Sequence, residues 1–76
     1  MSLYIALFQL KEEMLHAIEC EHEIIESAKE AVKQLRSEGA PQENILAEQY
    51  IIRDSKTVIS VLSHFLRRID EMLKDV

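Results

Sequence analysis

Turn-forming residues are almost absent from this chain, whose 76 residues include one Gly and one Pro. A fold of many short elements needs a turn former at each corner, so a sandwich, a barrel or any similar architecture is excluded. One glycine also cannot build the loop that cradles a phosphate. Trp is missing and aromatic residues make up only 5% of the chain, so any core is aliphatic. Cysteine occurs once, as Cys20, which excludes an internal disulfide and makes a reducing, cytoplasmic setting the expectation.

Positive charge is also scarce, with 9 Lys and Arg against 14 Asp and Glu and a formal net charge of −5. A nucleic-acid surface must neutralise phosphates with clustered cations, and an anionic membrane makes a similar demand, so neither partner is expected. Long apolar runs are lacking too. The most apolar stretch, Leu3-Tyr4-Ile5-Ala6-Leu7-Phe8, falls far short of the roughly 20 residues of a membrane-spanning helix. It also lacks the basic start and small-residue cleavage site of a signal peptide.

Helix formers dominate what remains, with 47% apolar and 30% charged residues. Gly39 accepts the left-handed conformation that closes a helix, and Pro41 is pre-set for a first helical position. This predicts a single domain, 1–76, with one helix over about 3–38, a turn at 39–40 and a second helix over about 41–75. Ser2 is the expected N-cap, and Glu43 adds a negative charge where the second helix dipole favours it. A link this short makes the helices antiparallel neighbours.

The apolar spacing is of coiled-coil type. Leu3, Leu7, Leu10, Met14, Ala17, Glu21, Ile24, Ala28, Ala31 and Leu35 alternate by steps of four and three. So do Ile51, Ser55, Val58, Leu62, Phe65, Ile69, Met72 and Val76 in the second helix. These positions form the predicted seam of the hairpin. A second row flanks it, made of Tyr4, Ile18, Ile25 and Val32 on one side and Ile52, Ile59, Leu66 and Leu73 on the other.

Two helices meeting along one seam leave most of each helix wet, so the second row requires its own cover. The expected fold is therefore an all-α, coiled-coil-like helical hairpin that dimerises into a four-helix bundle. Tyr4, Ile5, Phe8, Ile18, Ile25, Ile52, Ile59, Leu66 and Leu73 are the candidate interface residues. Ile5 projects from the seam at the end that carries the termini, which suggests a further contact there with another copy or another protein.

Charge supports the antiparallel register. Residues 12–26 hold Glu12, Glu13, Glu19, Glu21, Glu23 and Glu26 and no Lys or Arg. Folding at the Gly39 turn sets them against Lys56, Arg67 and Arg68, with Arg53 nearby.

Chemistry-bearing patterns are few. Glu13 with His16, and Glu19 with His22, repeat the Glu-x-x-His spacing of di-iron carboxylate bundles. Such sites draw the motif from two helices, and helix two has none, so the expectation is a solvated acidic face with no metal and no cofactor. A metal-binding or enzymatic bundle on these four residues is the alternative. Glu21 interrupts the seam, where a carboxylate is costly unless paired; it reads as a device for register or oligomer state. Cys20 reads as an inert, partly buried residue rather than a nucleophile. His64, on the outer side of helix two, would serve a third reading, a phosphorelay or kinase-regulating bundle. The leading expectation is a non-enzymatic, oligomeric helical protein that acts through protein–protein contact as an adaptor, regulator or structural subunit.

Overall fold

The computed structural model describes residues 2–75. Two α-helices, α1 over Leu3–Ser37 and α2 over Gln42–Lys74, lie antiparallel in a rod of 56 × 15 × 14 Å. Both helix starts and the turn follow from local chemistry. The Ser2 hydroxyl accepts a 3.2 Å hydrogen bond from the Ile5 amide and so caps α1. At the other end of α1, Gly39 takes a φ of +68°, the Ala40 amide donates to the Leu35 carbonyl, and the Gly39 amide donates to the Arg36 carbonyl. This is the Schellman pattern, and a glycine allows it without Cβ strain.

Pro41 falls one position earlier than expected. It is the N-cap of α2, in extended conformation, and its carbonyl accepts from the Asn44 amide. Its missing N–H costs nothing there, while its ring prevents α1 from continuing.

The seam is half as predicted. Leu7, Met14, Glu21, Ala28 and Leu35 on α1, with Ser55, Leu62 and Ile69 on α2, face the partner helix and are buried or half-buried. Val76, the last predicted seam position, lies outside the described residues. The companion row differs. Ile18, Ile25 and Val32, and on α2 Ile45, Ile52, Ile59, Leu66 and Leu73, turn inward, with Ile25 only 5% exposed. Leu10, Ile24, Ile51, Val58, Phe65 and Met72, assigned to the seam from spacing, stand out in solvent instead.

The two rows have exchanged roles through a rotation of each helix by about 50°, one position on a seven-residue wheel. Side-chain volume explains the choice. Toward the turn, α1 offers Ile18, Ile25 and Val32 on the inward row against Ala17, Ile24 and Ala31 on the outward one, so the observed rotation buries more hydrocarbon. It also carries Lys11 into the seam.

Lys11 is tolerated because Asp70 meets it. The Lys11 ammonium lies 2.9 Å from the Asp70 carboxylate across the two helices, and both side chains keep part of their surface wet. This pair, with the cation on α1 and the anion on α2, is the cross-helix ion pair among the described residues. The other two, Lys29–Glu26 and Arg53–Asp54, are local. The glutamates of residues 12–26 form no salt bridge to Lys56, Arg67 or Arg68 within the hairpin. Apart from Glu21 those side chains are exposed, and the contact between opposite charges that crosses the seam is Lys11 with Asp70.

Candidate functional site

The outward-facing rows of α1 and α2 lie on the same side of the hairpin. A shallow hollow is lined jointly by Cys20, Ile24, Ser27 and Ala31 of α1 and by Glu48 and Ile51 of α2, with Ala28 at its floor and Glu23 at its rim. The heptad spacing continues both rows away from the turn. On α1 it runs through Leu10 to Leu3, and on α2 through Val58 and Phe65 to Met72. These large apolar residues, together with Ile24 and Ile51, are 40–69% exposed. Between them lie small residues, Ala6, Ala17, Cys20, Ser27 and Ala31, which would let another backbone approach closely.

The opposite side of the hairpin near the turn has a different character. Its hollow is lined by Lys29, Lys33, Arg36 and Gln49 around Val32 and Ile52. The hairpin is therefore two-sided there, apolar on one face and basic on the other. That asymmetry is confined to the half near the turn, where α1 carries Ile24 and Ala31 on one flank and Lys29 and Arg36 on the other; farther from the turn the second flank is apolar too, with Leu15 and Phe8 exposed.

Exposed area tells the same story. The hairpin has 5696 Å² of accessible surface, whereas a compact monomer of its 8.8 kDa mass would expose about 4,800 Å². The difference, roughly 900 Å², reflects the elongated 56 × 15 × 14 Å shape of a two-helix rod. Only Ile25, Ala28, Val32, Ile45 and Ile69 form the buried apolar core, and none of them is fully sealed from solvent. One seam between two helices cannot shield a side chain from every direction.

Six of the predicted interface residues also line the seam inside the hairpin. Ile18, Ile25, Ile52, Ile59, Leu66 and Leu73 do so because the rotation that buries more hydrocarbon turned them inward. Tyr4, Ile5 and Phe8 remain outside, 45–49% exposed, and with Gln9, Glu12 and Glu13 they line a separate hollow along the start of α1. The residues that sequence spacing missed as surface are Leu10, Ile24, Ile51, Val58, Phe65 and Met72. The alanines at 17 and 31 were the available signal that this row is the weaker one to bury.

The polar candidates are scattered. Glu13, His16, Glu19 and His22 are all exposed on α1, and among the described residues no three His, Cys, Asp or Glu side chains are gathered to hold a metal ion. His16 Nε2 lies 3.7 Å from the Cys20 sulfur one turn away. Glu21 sits at its predicted seam position but is half-exposed, and it forms no ion pair among the described residues. Ser55, the matching interruption on α2, is buried at 5% and acts as a small seam residue. His64 is exposed, with its ring edge-on to Phe65 at 5.7 Å between centroids.

Among the described residues, Lys11 is the titratable group clearly displaced from its ordinary value. Its hydrogen bond to Asp70 and the attraction of that carboxylate hold the ammonium above the usual 10.5. Among the described residues, no helix is long and apolar enough to cross a membrane. Comparison with protein families, curated proteins and solved structures finds no match to this chain.

Proposed function

We propose that this hairpin is a protein–protein interaction module, an adaptor, regulator or structural subunit, that dimerises through its apolar face into a four-helix bundle. The observation that carries the reading is the one-sided double row of Leu10, Ile24, Ile51, Val58, Phe65 and Met72 on a rod with no sealed core. Contiguous apolar patches of this kind mark sites of association. A symmetric pair covers both copies with a single self-complementary patch.

The test is a charged substitution on the face. Val58→Asp with Phe65→Asp should give a chain that sediments as a monomer and binds no second copy, with reduced but measurable helical circular dichroism. A doubly substituted chain that still sediments at the wild-type mass would reject the face as the interface.

A further inference from the structure

We propose that the basic surface beside the turn is the docking site for a short acidic segment of a partner protein. This specifies a partner for the adaptor proposed above and rests on that reading. It does not rest on the dimer, because the basic surface lies on the side of the hairpin away from the apolar face.

Charge is spread unevenly over the rod. Lys29, Lys33 and Arg36 follow one another at helical spacing along one flank of α1. With Gln49 of α2 they line the hollow over Val32 and Ile52. Lys56, seven residues beyond Gln49, stands on the same flank of α2, and Arg53 lies at its outer edge. These five cations are all exposed, and they are more than half of the chain's 9 Lys and Arg. Little neutralises them. Glu26 meets Lys29 at 3.5 Å, but both side chains are exposed, and such a pair is weak in water. The Arg53 guanidinium lies 3.5 Å from Asp54 and 4.9 Å from the centre of the Tyr50 ring. Lys33, Arg36 and Lys56 enter no salt bridge among the described residues. Because the whole chain carries a formal charge of −5, the surface outside this patch is more acidic still.

The extent of the patch selects the class of partner. The Lys11–Asp70 contact sets the register of the two helices, and it brings Arg36 level with Ile45 and Lys56 level with Ile25. At 1.5 Å per residue the cations therefore span roughly 16 Å of the rod. Glutamates border that span: Glu38 and Glu43 near the turn, Glu30 at the outer edge of α1, and Glu19 farther along the same flank. A nucleic-acid duplex or an anionic bilayer runs well past such a patch, and with a Debye length of about 8 Å its phosphates would meet those carboxylates. An acidic segment of about three helical turns ends where the cations end. Leu46, three residues before Gln49 and 40% exposed, offers that segment an apolar contact beside the charges.

Fluorescence anisotropy of a labelled peptide of Glu and Leu, about twelve residues long with its leucines on one helical face, tests the docking. The wild-type chain should bind it at low ionic strength and release it near 1 M salt, where the Debye length is about 3 Å. Lys33→Gln with Arg36→Gln should weaken binding about fivefold to tenfold, whereas the equal charge change Arg67→Gln with Arg68→Gln should alter it less than about twofold. All four positions are exposed, and circular dichroism checks that each variant keeps its helices. No binding by the wild-type chain, or equal losses in the two variants, would overturn the proposal. So would tighter binding of a single-stranded oligonucleotide or of phosphatidylserine vesicles through Lys33 and Arg36. A chain that sediments as a dimer but binds no peptide overturns the docking site and leaves the dimer standing. A monomer that binds the peptide through Lys33 and Arg36 supports the docking site and rejects only the dimer.

Discussion

Lys11 and Asp70, 59 residues apart in sequence, close on each other at 2.9 Å across the seam of the hairpin. Lys11 occupies a position that heptad spacing reserves for an apolar side chain. Its stem packs along the seam while its ammonium reaches the carboxylate at the edge, the usual behaviour of an amphipathic side chain.

The pair makes stability depend on alkaline pH. The Lys11 pKa is raised in the folded chain above the ordinary 10.5, so folding favours the protonated form. The contribution is therefore complete below the unfolded-state pKa and is lost as pH rises through the folded one. Thermal melts between pH 9 and 12 should show a decline in wild type that is shallower in Asp70→Asn. Parallel curves for the two proteins would remove the ion pair from the account.

Neighbours in sequence should have opposite effects. Ile25 is buried in the seam and Ile24 is exposed on the outer face. Ile25→Ala should lower the unfolding free energy by about 2–4 kcal/mol at every protein concentration. Ile24→Ala should weaken the dimer by about 1 kcal/mol and lose its effect on dilution to monomer. Denaturant melts across a hundredfold concentration range distinguish them. Equal, concentration-independent deficits would show that the helices are rotated differently.

Glu21 should be replaceable with a gain. It is half-buried at a seam position beside Ala17, Ile24 and Ala28, with no ion-pair partner among the described residues. Leucine there adds apolar contact at a half-buried position, worth about 1 kcal/mol, or about 4–8 °C in Tm for a chain of this size. If Glu21→Leu leaves both Tm and oligomer mass unchanged, Glu21 has no role in the seam.

Sequence reading located the turn, the caps and one of the two seam rows because those depend on local chemistry. Gly39 needs only its own φ, and Ser2 only the amide three residues on. The other row depends on how far each helix rolls, and spacing alone is blind to this when both flanks of Leu7, Met14, Ala28 and Leu35 repeat every seven residues. The roll was decided by the sum of Ile18, Ile25 and Val32 against Ala17 and Ala31, and by a lysine that looked unsuited to a seam until Asp70 supplied its partner. The surface reading inherited that error. Tyr4, Ile5 and Phe8 stand outside as expected, whereas six others of the expected outer residues line the seam and part of the predicted seam stands in solvent.

Sedimentation equilibrium of the unmodified chain tests the central claim most directly. Across micromolar concentrations the account predicts twice the 8.8 kDa chain mass, falling toward a single chain on dilution or on introducing Val58→Asp with Phe65→Asp. A folded, helical protein that stays at 8.8 kDa up to millimolar concentration would contradict it.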